Sequence, residues 1–428
     1  MIKIVREENK NINYIEKLKE RAEELQVDVN MTVQKILEDV RKNGDEAVLN
    51  YTNKFDSCNV KSLLVTEKEI EDAYKSVEKE FIDAILLAKE NIECFHRKQK
   101  NNSWIMTKDK GITMGQTVRG LDRVGVYVPG GKASYPSSVL MNVIPAKVAE
   151  VNEIIMVTPP SKDGSINPNI LVAAKIAGVD KIYKVGGAQA IGALAYGTES
   201  IFKVDKIVGP GNIYVALAKK AVYGNVDIDM IAGPSEILII SDENGEAKYI
   251  AADLISQAEH DKLASSILVT TSEKLANDVY KEIQRQVETL ERKEIIKESL
   301  KNYGAIIVTS SIKKAIEIAN TISPEHLELM VNNPFVYLGN IKNAGSIFLG
   351  KFSPEPLGDY MAGPNHVLPT SGTAKFFSPL SVDDFIKKSS YIYYSRDALE
   401  DVKDKIIKIA ETEKLTAHAN SIKVRFEK

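Results

Sequence analysis

The chain holds five histidines, and four of them stand within a few residues of a carboxylate. The segments are Gln257-Ala258-Glu259-His260-Asp261, Ser323-Pro324-Glu325-His326-Leu327, Gly358-Asp359 through Asn365-His366, and Glu413 through His418. Only His96 lies outside them. Imidazole is the commonest transition-metal ligand and the usual general base near neutral pH. Histidine this scarce, spent this way, points to an enzyme, and to one that holds a metal.

Each segment has a chemical reading and a plainer one. Gln257 and His260 are three apart at a helix end, so they share a face, with Asp253 one turn earlier. Zinc accepts such nitrogen and oxygen donors; the helix dipole alone also suits a terminal histidine. Ser323-Pro324-Glu325-His326 reads as a helix start, serine capping and proline in the first turn. There His326 stays neutral and able to accept a proton; a capping motif with a bystander histidine fits equally. Asp359 and His366 lie in a stretch where Gly358 and Gly363 permit close approach to a ligand, or where a turn aspartate meets a surface histidine. His418 is ten residues from the end of the chain, where most histidines have no role.

These residues need elements to position them. Residues 12–50 and 66–100 read as helices, the second from Ile70, Ala73, Val77, Phe81, Ala84 and Ile85. From residue 122 short apolar strands alternate with helices. The strands are expected at 124–128, 154–157, 181–185 and 204–208, the helices at 137–149, 169–177, 188–196 and 213–222. A second series follows Ser235: strands 236–241, 265–270, 304–308 and 345–349, with helices 247–260, 272–290 and 311–321. Such alternation builds right-handed βαβ units and parallel sheets. Two series predict two α/β domains, a division consistent with an old duplication. Residues 353–372 contain seven Gly or Pro, which predicts a long ordered loop without regular elements. The tail from Val382 reads as helical.

Composition excludes several classes. At 428 residues, 44% hydrophobic and 27% charged, the chain suits two or three globular domains. A net charge of -3 with interspersed signs gives no basic stripe for nucleic acid. No apolar run reaches the ~18 residues of a membrane span, and the charged N-terminus lacks a signal-peptide core. A cytoplasmic location is expected. Cys58 and Cys94 form no metal-binding spacing and read as partly buried free thiols. The turns Pro129-Gly130-Gly131, Gly186-Gly187 and Gly209-Pro210-Gly211-Asn212 follow strands and can cradle a dinucleotide at helix N-termini. None is the Gly-x-Gly-x-x-Gly fingerprint, and each also serves as an ordinary connection.

The strings VGVYVPGG, VGGAQAIGALAYGT, DKIVGPGN, AGPSEILIISD, SQAEHD, ISPEHLEL and PLGDYMAGPNHVLPTSG run in order along the chain. In them the chain resembles the histidinol dehydrogenase family from about residue 25 to 425. The resemblance implies a zinc- and NAD-dependent oxidation of L-histidinol through bound L-histidinal to L-histidine, with one zinc per subunit. It implies Gln257, His260, Asp359 and His418 as zinc ligands, His418 coming from the partner of a homodimer. Glu325 and His326 resemble the acid/base pair. The substrate-contacting positions are Ser235, His366 and Glu413 together with Gln257, His260, His326, Asp359 and His418. Tyr127, Gln189 and Asn212 resemble the NAD contacts. The implied fold is two incomplete Rossmann-like domains with a helical N-terminal region and a C-terminal extension crossing the dimer. The boundaries expected are an N-terminal extension to residue 25, a discontinuous first domain at 26–122 and 234–375, an inserted nucleotide domain at 123–233, and a tail at 376–428.

Two other activities fit the residues. A related zinc and NAD alcohol dehydrogenase of the same superfamily would act on another small alcohol, such as a sulfonated diol, and should lack Glu413, His366 and His418. A zinc hydrolase would use Glu325 to activate metal-bound water and need no nucleotide.

Overall fold

The computed structural model describes residues 2–6, 26–130 and 135–427. The part of the expected 12–50 helix before Gln26 lies outside them, as does Gly131. The chain divides into two compact units, Met1–Gln99 with Leu121–Phe385, and Lys100–Gly120 with Ile386–Lys428. Strand β1 (Lys3–Arg6) opens the first unit, and β2 (Trp104–Lys108) and β3 (Ile112–Gly120) belong to the second. The first unit resumes with β4 (Arg123–Tyr127), β5 (Glu153–Thr158), β6 (Lys181–Lys184), β7 (Lys206–Val208) and β8 (Asp227–Ile228). It continues with β9 (Glu236–Ser241), β10 (Ser265–Thr270), β11 (Gly304–Val308), β12 (His326–Met330) and β13 (Ser346–Leu349). The last strand, β14 (Ile386–Tyr393), lies in the second unit.

Two parallel sheets form the first unit, as the alternation of elements requires. One runs β6-β5-β4-β7-β8 and the other β1-β11-β10-β9-β12-β13. Every residue of β9 and β10 is buried, which is why these strands read as continuous apolar runs. The two faces separate by alternation along the strands. Ile237, Ile239 and Leu268 pack on helices Ala247–Ala258 and Glu273–Val287, while Leu238, Ile240, Ile267 and Val269 pack on helix Ile312–Ile322. Val33, Ile36, Leu37 and Val40 of helix Gln26–Phe55 join the apolar core of the 123–228 sheet by packing on helices Gly187–Tyr196 and Ile213–Val222. The expected 66–100 helix is two, Glu67–Ser76 and Lys79–Arg97. Val77 and Glu78 are extended between them, a break that the apolar spacing does not register.

The second unit is an antiparallel sheet, β14-β3-β2, with helices Arg396–Thr412 and Thr416–Lys423. The tail was expected to be helical from Val382, and β14 corrects that. Seven of its eight residues are exposed, so no alternation of apolar and polar residues marks it as a strand. No described helix is long and apolar enough to cross a membrane.

Candidate active site

Parallel sheets have two unlike edges. Strands lead at their carboxyl ends into helix N-termini, and the helices return to the amino ends of the next strands. In the 123–228 sheet the strand order reverses between β4 and β7, so a crevice opens beyond their carboxyl ends. Pro129, following β4, and Gly209, Pro210 and Gly211, following β7, line one wall of a cavity of about 340 Å³. Ser137 and Ser138, in the first turn of helix Pro136–Val148, continue that wall.

The opposite wall is the amino edge of the six-stranded sheet. Ser235 precedes β9, and Glu325 and His326 stand at the start of β12. Gln257 and His260 come from the C-terminal end of helix Ala247–Ala258, which must return to this edge. Helix N-termini favour anions and C-termini favour cations. The two walls therefore favour opposite charges.

Ser323-Pro324-Glu325-His326 is not a helix start. Ser323 is left-handed (φ 57°) and ends helix Ile312–Ile322, and proline follows as it commonly does past a C-cap. His326 pairs in register with Ile237 on one side and Ser346 on the other. The period of two in His326-Leu327-Glu328-Leu329-Met330 decides the strand: Leu327 and Leu329 enter one apolar core, while His326 and Glu328 share the other face.

The backbone fixes the His326 tautomer. Its Nδ1 lies 3.0 Å from the Glu236 carbonyl oxygen, which only accepts, so Nδ1 carries the proton. Nε2 is left as a buried lone pair with no hydrogen-bond partner among the described residues. Burial lowers the pKa to about 4, against the pull of the Asp359 charge and the Glu236 carbonyl. The neutrality expected of His326 is thus present, but burial causes it and not a helix N-terminus. His366 is set in the same way, with Nδ1 3.0 Å from the Asp359 carbonyl oxygen and its pKa lowered by burial.

Carboxyl groups crowd the same wall. Glu325 is held well above the usual carboxylate range, first by burial and then by the charges of Glu236, Asp359 and Glu355, although it accepts from Glu236 N–H at 2.9 Å. Glu355 is pushed up to about 9 by burial and by Asp359. Donor atoms of His326, Glu355 and Asp359 lie within 4.8 Å of one another. Glu328 accepts from Glu355 N–H at 2.9 Å and is raised well above its ordinary range, chiefly by burial and the Asp253 charge. A divalent cation would offset this repulsion.

The structure gathers Ser235, Gln257, His260, Glu325, His326, Asp359 and His366 around one cavity. Glu413 and His418 are exposed on the second unit, whereas the cavity is lined wholly by the first. Tyr127, Gln189 and Asn212 are not among the residues that line the cavity, and Asn212 is exposed. The Tyr127 hydroxyl accepts from Gly187 N–H at 3.1 Å, and burial pushes its pKa to about 12. Gln189 is buried in the first turn of helix Gly187–Tyr196, and its Oε1 has no hydrogen-bond partner among the described residues. Asn212 caps helix Ile213–Val222. Cys58 and Cys94 are free and stand outside the cavity, Cys58 partly buried and Cys94 exposed.

Sequence reasoning missed Glu355, Glu328, Lys219 and Asp229. Glu355 was hidden by its loop: Gly and Pro there suggested no helix, yet Glu355–Tyr360 is helical and sets Glu355 one turn before Asp359. The four-residue spacing was the available signal.

The family model described as histidinol dehydrogenase matches residues 19–426. A histidinol dehydrogenase of Clostridium acetobutylicum is 68% identical over 97% of this chain and 96% of its own length. One from Caldanaerobacter subterraneus is 61% identical over 97% of each chain. The crystal structure of histidinol dehydrogenase from Elizabethkingia anophelis superposes with a TM-score of 0.94 at 40% identity, covering 99% of this chain and 98% of that one.

Proposed function

The chain belongs to the histidinol dehydrogenase family, and we propose that it oxidises L-histidinol through bound L-histidinal to L-histidine, with zinc and two molecules of NAD. The observation that carries this reading is the buried, unpartnered Nε2 of His326, a residue that lines the cavity together with Gln257, His260 and Asp359.

The residues fit both groups. Gln257 is fully buried, and neither of its amide atoms has a hydrogen-bond partner among the described residues, as suits a side chain that turns its oxygen to a metal. With His260, Asp359 and the partner's His418 it makes a mixed nitrogen and oxygen set of one formal negative charge, which zinc accepts. The orphaned Gln189 Oε1 and the glycine turns at helix N-termini suit a dinucleotide. Zinc would hold the substrate's imidazole and amine in place, and NAD would accept a hydride at each oxidation.

The chain's own groups do the rest. His326 Nε2 takes the hydroxyl proton in the first oxidation and passes it to solvent, which frees the nitrogen again. Glu325 then takes a proton from the water that adds to the aldehyde, and the deprotonated His326 takes the hydroxyl proton of the hydrate in the second. Ser235 and His366 orient the substrate, with Glu413 of the partner subunit. We propose that residues 123–233 form an inserted nucleotide domain, and that the protein acts in the cytoplasm.

Tail crossing has independent support in the second unit. Trp104, Ile105, Met106, Tyr391, Ile392 and Tyr393 are exposed on its small sheet, Ile392 at 74%. An exposed apolar surface of this kind favours burial against another copy.

The test is NADH formation from L-histidinol. Two NADH per histidinol are expected, abolished by a chelator and restored by zinc, with less zinc retained by His260→Asn. A single NADH, or turnover indifferent to chelation, overturns the reading. Binding without any NADH favours the hydrolase.

A further inference from the structure

Lys219 and Asp229 line the cavity, yet nothing in the proposed chemistry uses them. Their side chains are 3% and 1% exposed and form an ion pair. Both also hold one residue, Gly209. Lys219 Nζ donates to the Gly209 carbonyl at 2.9 Å, and Gly209 N–H donates to Asp229 Oδ2 at 2.8 Å. Asp229 Oδ1 also accepts from Met230 N–H at 2.6 Å. Gly209 has no freedom to be another residue: φ is +111°, and a Cβ would stand 2.1 Å from the Tyr127 carbonyl oxygen. The ion pair thus clamps both polar groups of the residue that opens the Gly209-Pro210-Gly211-Asn212 turn.

Two buried charges are costly to desolvate, and apolar residues would fill the same space at no loss of stability. A buried pair that instead grips one peptide group on both sides specifies where that peptide lies. We propose that Lys219 and Asp229 are a positioning pair for the nucleotide, setting the 209–212 turn so that its cavity wall matches the bound dinucleotide. Lys219 has a third ammonium hydrogen beyond those given to Asp229 and Gly209, and it borders the cavity. The inference rests on the reading that NAD occupies this wall.

The experiment separates nucleotide from substrate. In Lys219→Met, the KM for NAD should rise about tenfold, the loss expected when one charge-assisted hydrogen bond is removed. The Kd of histidinol, measured calorimetrically without nucleotide, should stay within about twofold. Lys219→Arg should restore most of the NAD affinity. If the single variant does not fold, the neutral pair Lys219→Met/Asp229→Asn, which leaves no unpaired charge, carries the same expectation. An NAD KM within about twofold of wild type overturns the proposal. So does a parallel fall in histidinol affinity and unfolding temperature, since that marks a general support of the fold. If wild-type protein neither binds NAD nor forms NADH, the reading of the activity fails instead.

Discussion

At the scale of the residue, the site works through burial more than through charge pairing. His326 lies 3.7 Å from a Glu325 oxygen and 3.9 Å from a Glu355 oxygen, distances that would raise a solvated histidine's pKa. Desolvation wins and takes it from 6.5 to about 4. A histidine lowered on folding adds stability above its unfolded pKa, and that contribution disappears as pH falls through the folded one. At about 1.4 kcal/mol per pH unit it amounts to about 3 kcal/mol. The unfolding free energy of metal-free wild type, measured against His326→Gln, should therefore decline by that amount between pH 7 and pH 4. A difference that stays flat across this range would show that His326 protonates as freely folded as unfolded.

At the scale of the element, β12 and β13 set the acid/base pair. Ser346 N–H donates to the Glu325 carbonyl at 2.8 Å, and Gly345 N–H to that of Pro324 at 3.0 Å. A Cβ on Gly345 would stand 2.5 Å from the Glu325 carbonyl oxygen, a backbone atom that cannot yield alone. Gly345→Ala should push the start of β12 and lower kcat, on the order of the 10²-fold that a misplacement near 1 Å costs. Gly339→Ala, where nothing lies within 4 Å of the added methyl, is the control and should keep full activity. Equal turnover in the two variants would mean that β13 does not position the pair.

At the scale of the molecule, the proposed zinc set needs a residue from the second unit of another copy. Mixing His418→Ala with His326→Ala tests this crossing. A heterodimer would collect both lesions in one site and leave the other intact. Subunit exchange between these inactive variants should restore up to about one-quarter of wild-type specific activity for random pairing in a symmetric dimer. Heterodimers that form and remain inactive would place His418 in its own subunit's site.

Local pattern determined much of this protein. Most of the alternating strands and helices from residue 123 to 349 are legible, β12 and helix Lys293–Tyr303 being exceptions, because buried parallel strands and their covering helices carry different apolar periods. The histidine–carboxylate segments are legible because few residue types bind metals or move protons. The tertiary structure decided what depends on partners distant in the chain. His326 belongs to a strand because Ile237 and Ser346 pair with it, although Ser323-Pro324 also suits a helix start. Glu355 enters the site because a short helix turns it toward Asp359 and β12. The cavity itself is lined by the carboxyl edge of one sheet and the amino edge of the other, a meeting that no segment encodes alone, since it joins residues from distant stretches of the chain.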